Sequence, residues 1–188
     1  FGGSNLPYFP TRAAFGVTAT GLPQAEWIYH VGAGNDNIFR YPNPSPNTTA
    51  AAPQPVPTET FPANGSAWNI HSAIGGSPML IKDGTIRITD TEELISINNA
   101  TSRPRSALGY TANNLIVLLA IEGDNGTISP GVNLQELATL LQSMGCTNAV
   151  NLDGGGSTSF IVGGTRMVRP GDAGVERTVM SAVVLKRR

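Results

Sequence analysis

A strand-rich α+β domain, built on a mixed sheet with one amphipathic helix packed against it, is the fold class that this sequence predicts. Three observations carry the expectation. Charged residues make up 13% of the 188 while Gly (22) and Pro (14) are plentiful, a balance that favours strands and elaborate loops over exposed helices. Short apolar runs recur between turn signals along the chain, and one stretch alone, residues 133–145, stands out with the helical period. With 40% hydrophobic residues, a chain of this length is expected to form one globular domain around a sizeable core.

"RAAFGVTATG", from Arg12, and "RSALGYTANN", from Arg105, each read as a strand running into a turn. They share the order Arg, any residue, Ala, apolar, Gly, apolar, Thr, Ala, which fits either a duplicated strand unit or two strands meeting the same packing demand. "WIYHV" at 27–31 and "LIVLLAI" at 115–121 read as strands, and "PMLIKDGTIRI" at 78–88 as a hairpin turning at Asp83 and Gly84. Residues 42–62 hold seven of the fourteen prolines, which neither donate to a sheet ladder nor continue a helix. A Pro-rich surface loop is therefore expected at about 41–67, either irregular or a lid over a site.

The helix is predicted from "NLQELATLLQSMG". Leu134, Leu137, Leu141 and Met144 share a face with Leu140 beside them, Asn133 is the N-cap, Glu136 its capping-box partner, and Gly145 the stop. "CTNAVNL" follows as a strand, and "VMSAVVLK" is expected to close the chain as another buried strand.

The charge balance, 12 Lys+Arg against 13 Asp+Glu for a net −1, supplies no basic field for a nucleic-acid backbone or an anionic membrane. Cys146 is the single cysteine, so there is no internal disulfide framework and no cysteine-built zinc site. No apolar run reaches the length of a bilayer span. His30 and His71 stand far from any motif and read as ordinary strand or loop residues.

Chemistry concentrates in "VNLDGGGSTSF", residues 150–160. Asp153 sits where a buried strand ends, a place where ligands commonly bind. Three glycines in a row cost backbone entropy, which a close approach to a ligand would justify. The amides of Gly154, Gly155, Gly156, Ser157 and Thr158 are expected to converge on an anion as a nest, with the two hydroxyls adding donors. No Lys follows the glycines, so this is not a nucleotide-binding P-loop. A glycine-rich hairpin with Asp153 as turn former is the competing reading.

From Ser72 onward, "AIGGSPMLIKDG", "SRPRSALGYTANN", "GVNLQELATLLQSMG", "NLDGGGSTSF" and "RPGDAGVERTVMSAVVL" occur in the order and spacing of one family. The chain resembles the phosphodiester glycosidase domain. That resemblance implies hydrolysis of the bond between a sugar, N-acetylglucosamine-like, and a phosphodiester on an exported glycan or glycolipid, by a bacterial protein of the periplasm, cell surface or exterior, with no cofactor and no metal. It implies Asp153 as catalytic carboxylate with Glu176 and Glu122 as candidates for the second, since glycoside cleavage passes through an oxocarbenium-like state. Arg105 is expected to grip phosphate oxygens in a bidentate fork with Arg177 assisting. Gly76 and residues 154–158 would add donors, while Asp172 and Arg169 are expected near the sugar. In "AIEGDNG", Glu122 replaces the family's usual Asp, and Asn125 its usual Arg. The family's opening motif would precede Phe1, so the first strands and an N-terminal segment of the domain are expected upstream, with residues 1–3 as their remnant. The alternative is a non-catalytic exported module of the same fold that binds carbohydrate or phosphate.

Overall fold

The computed structural model describes residues 9–32 and 37–186. Residues 1–3 lie outside the described residues. In chain order the elements are β1 (Arg12–Val17), β2 (Pro23–His30), β3 (Ile38–Tyr41), β4 (Ser66–Ala67), β5 (Ser72–Gly75), β6 (Met79–Lys82), β7 (Thr85–Ile86), β8 (Arg105–Thr111), β9 (Ile116–Ile121), α1 (Leu134–Ser143), β10 (Cys146–Asn151), β11 (Ile161–Val162) and β12 (Thr165–Arg166). Two five-stranded sheets form, in the orders β4-β3-β2-β1-β5 and β7-β6-β10-β8-β9, with β11 and β12 as a separate hairpin. Every strand pairing among the described residues is antiparallel, so the expected mixed sheet is corrected to two antiparallel ones.

The second sheet is the middle layer. One face meets the first sheet through Phe15, Trp27, Met79, Leu108 and Val150, and the other meets α1 through Leu80, Ala107, Ala149, Leu134, Leu137 and Leu141. Alternation along β8, with Ala107 toward the helix and Leu108 toward the first sheet, follows from the two-residue period of a strand. β9 and β10 run the same way on either side of β8, so a crossover must join them, and α1 supplies it.

Local signals act as read. Asn133 Oδ1 accepts from the Glu136 amide at 2.9 Å, and Glu136 Oε2 accepts from the Asn133 amide at 2.8 Å, closing a capping box. Asp83 and Gly84 both take positive φ, 50° and 80°, as a two-residue hairpin requires. On α1, Ala138 takes the buried place expected for Met144, which is 47% exposed beyond the last turn.

Residues 42–65 form no helix or strand, yet they are pinned to the body. The Thr11 and Ser45 amides each donate to the other residue's hydroxyl, and Asn47 Nδ2 donates to the Glu92 carbonyl at 2.8 Å. The expected closing strand is also corrected: residues 179–186 form no strand and are exposed, with Met180 at 99% and Leu185 at 78%. A strand needs an edge for its backbone and a face for its side chains, and this segment meets neither among the described residues.

Candidate functional site

Four strand ends meet at one place. Beyond the end of β10, the Leu152 amide donates to Ser106 O at the start of β8, and the Gly155 amide to Pro104 O. On the other side the Ser77 amide donates to Asn151 O, the Asn151 amide to Pro78 O, and the Gly76 amide to Ala13 O at the start of β1. So close is this approach that a side chain at Gly76 would strike the Asn151 carbonyl. The sequence carries glycine there because backbone meets backbone.

A cleft of about 490 Å³ opens at this junction. Its polar lining comes from Arg12, Ser77, Asn151 and Asp153, with the backbone of Gly75, Gly76 and Gly154 between them, and its apolar lining from Ala13, Ile28, Ile95, Ile97 and Leu152. Asp153 is exposed, so its carboxylate meets solvent. Asn151 is 2% exposed; its Nδ2 donates to Ser77 O at 2.8 Å, which leaves Oδ1 buried with no hydrogen-bond donor. Burial lowers the proton affinity of Arg12, an effect opposed by the charge of Glu93.

Glu93 is a buried organising residue under the cleft that sequence reasoning missed. Fully buried, its Oε1 accepts from Thr89 Oγ1 (2.6 Å), the Met79 amide (2.8 Å) and Trp27 Nε1 (3.0 Å), and its Oε2 from Ser77 Oγ (2.6 Å) and the Ala13 amide (3.0 Å). Desolvation pushes its pKa above the ordinary carboxylate range, against the pull of hydrogen bonds from Ser77, Thr89, Ala13 and Met79. The carboxylate thereby ties β1, β2 and β6 together directly beneath the cleft. "TDTEELI" offered no local sign of this, since Glu93 reads there as one of a solvated acidic run. Asn151 was legible in principle, lying two residues before Asp153 in the same motif.

The structure distributes the expected residues over three neighbouring places. Asp153, Gly154 and Gly76 line the cleft. Arg105 lies directly beneath Gly154 but is not among the lining residues. Its Nε donates to Val132 O (3.2 Å) and its Nη2 to Asn98 O and Thr101 O (both 3.0 Å), so this guanidinium braces backbone, and among the described residues the arginine lining the cleft is Arg12. Burial and the nearby Arg103 lower its pKa, while Asp124 raises it.

The expected nest is also corrected. Amides of Gly155, Ser157 and Thr158 already donate to Pro104 O, Gly154 O and Gly155 O, because residues 155–157 wind into a single tight helical turn. Thr158 is buried, its Oγ1 without a hydrogen-bond partner. Residues 169–177 fold over this turn: Arg177 donates twice to Ser157 Oγ (2.7 and 3.2 Å) and lies 3.6 Å from Asp172, whose carboxylate occupies the space beside the Gly156 α-carbon. Glu122 Oε2 accepts from the Arg169 amide at 2.9 Å. Glu176 points outward and pairs with Arg166 at 3.2 Å, its side chain 53% exposed, so it does not join Asp153 in the cleft.

The phosphodiester glycosidase family is matched over residues 24–186, and the chain belongs to that family. It is 35% identical over 109 residues to the N-acetylglucosamine-1-phosphodiester alpha-N-acetylglucosaminidase of Bos taurus, covering 53% of this chain and 20% of that protein. A prophage-derived uncharacterized protein of Bacillus subtilis, YomE, is 30% identical over 106 residues, covering 56% of this chain and 16% of that one. Among solved structures, the catalytic domain of the zebrafish N-acetylglucosamine-1-phosphodiester alpha-N-acetylglucosaminidase, auto-inhibited by its pro-peptide, superposes with a TM-score of 0.53 at 21% identity, over 85% of this chain and 45% of that one. That likeness shows the shared fold. The match to the bovine enzyme thus takes in about a fifth of its length. Among the described residues, no helix is long and apolar enough to cross a membrane, and no group of three or more His, Cys, Asp or Glu is placed to hold a metal ion.

Proposed function

We propose that this chain is an exported hydrolase that cleaves the bond between an N-acetylglucosamine-like sugar and a phosphodiester. The single observation that carries the reading is the exposed Asp153 carboxylate in the same cleft as Arg12, Ser77 and Asn151. Asp153 stabilises positive charge at the anomeric carbon or takes the proton of the attacking water. The water oxygen bonds to that carbon, the bond from carbon to phosphate oxygen breaks, and its electron pair stays on the phosphate.

A phosphodiester oxygen leaves readily as an anion, so the demand for a general acid is small and one carboxylate in the cleft suffices. Arg12 keeps its proton at neutral pH and draws the phosphate toward the β1 end. Asn151, whose Nδ2 donates to Ser77 O at 2.8 Å, holds the Ser77 backbone in place at the cleft wall. In this reading Glu122, Glu176, Asp172, Arg177 and Ser157 shape the segment 166–177 against the glycine turn, and Arg105 holds the floor beneath Gly154. The test is a panel of sugar 1-phosphodiesters incubated with the protein, with released sugar quantified by chromatography. Release of N-acetylglucosamine is the expected outcome, and release of no sugar from any member contradicts the reading.

A further inference from the structure

Three isoleucines give the cleft a property that sugar and phosphate leave unused. Ile28 comes from β2, and Ile95 and Ile97 from the segment between β7 and β8; each is partly exposed within the cleft. Ile28 stands directly opposite Arg12 in the β1–β2 register, so the two side chains share a face. Arg12 Nη2 donates to the Leu94 carbonyl, adjacent to Ile95. A phosphate drawn to Arg12 therefore has branched aliphatic side chains as its next neighbours.

This wall is held in place. Arg12 grips the 94–101 segment at Leu94, and Arg105 grips it at Asn98 and Thr101. The two arginines open the two similar sequence stretches, "RAAFGVTATG" and "RSALGYTANN", so the same strand-start position is used twice to strap one segment. Among the described residues, no aromatic ring lines the cleft as a platform for a sugar face. A hydroxyl-rimmed ring against these isoleucines would lose water contacts without gaining partners, whereas an alkyl chain buries apolar surface on both sides.

We propose that the cleft takes glycosyl phosphodiesters whose second alcohol is an alkyl chain, seated against Ile28, Ile95 and Ile97 with the phosphate beside Arg12. The proposal rests on the hydrolase reading for its sugar and on the wall alone for its chain. Binding is measured by titration calorimetry with dimethyl phosphate and hexyl methyl phosphate, and cleavage with the methyl and hexyl phosphodiesters of N-acetylglucosamine 1-phosphate. Each methylene covered by the wall is worth about fourfold, so with two or more covered the hexyl compounds should be favoured by at least about tenfold. Ile95→Ser and, separately, Ile28→Thr should lower that ratio several-fold, with unfolding curves confirming that each variant is folded. Equal binding and equal cleavage of methyl and hexyl compounds overturn the proposal, as does a hexyl preference that neither folded variant reduces. If hexyl methyl phosphate binds preferentially and the variants abolish this while neither sugar ester is cleaved, the alkyl subsite stands and the hydrolase reading fails.

Discussion

Replacing Glu93 with Gln preserves size and turns one acceptor oxygen into a donor amide at a point where five donors converge. The least costly arrangement keeps the Gln carbonyl at the Oε1 position, facing Trp27, Met79 and Thr89, and sets the amide nitrogen where Oε2 was. Ser77 Oγ can turn to accept, but the Ala13 amide has only a donor to face. An orphaned buried N–H costs about 1–3 kcal/mol, and the remaining bonds weaken as they lose a charged acceptor. Removing a buried charge offsets part of this, because burial already disfavours the ionised form. A net loss of about 2–3 kcal/mol is expected, a large share of a typical folding stability. Urea denaturation of parent and variant at pH 7 measures it.

The pH dependence adds a sign. In the unfolded chain a Glu titrates near about 4.3, whereas the folded Glu93 holds its proton to higher pH. Between those values the native state binds more protons, so the Glu93 contribution to stability is fully present below the unfolded value and is lost as pH rises through the folded one. The Gln variant lacks that slope, and the gap between parent and variant should narrow from pH 4 upward and then level. A variant within about 0.5 kcal/mol of the parent at pH 7, or a gap that widens with pH, refutes the reasoning.

Asn133→Ala removes the side-chain half of the capping box on α1 and should lower stability by about 1 kcal/mol, read from the same denaturation curves. Gly156→Ala would place a methyl group where the Asp172 carboxylate sits. Displacing residues 169–177 should expose the glycine turn, seen as faster amide exchange at residues 155–158 and as slower sugar release.

What was legible of the candidate site lay in one contiguous motif at a strand exit: Asp153 and Gly154 belong to "NLDGGG", and strand geometry alone sends them past the end of β10. The hairpin at Asp83 and Gly84 and the capping box at Asn133 were legible for the same reason, because each is decided within a few residues. Glu93 and Arg12 were not, since their roles arise from partners far along the chain: Trp27 lies 66 residues from Glu93, and Leu94 lies 82 from Arg12. Arg105 shows the same limit from the other side. A charged residue at a strand start looks ready for an anion until three carbonyls are seen to claim it. The run "VMSAVVLK" has every local mark of a strand, yet strand formation depends on an edge to pair with, which local sequence does not encode.

Asp153→Asn tests the central claim most directly. The substitution keeps shape and most hydrogen bonding while removing the negative charge from the cleft. With an N-acetylglucosamine phosphodiester as substrate, single-turnover release should fall at least about a hundredfold, whereas binding, measured separately with a non-hydrolysable analogue, should stay level or tighten slightly as repulsion from the phosphate disappears. An Asn variant that releases the sugar as fast as the parent would make Asp153 a turn residue and contradict the account.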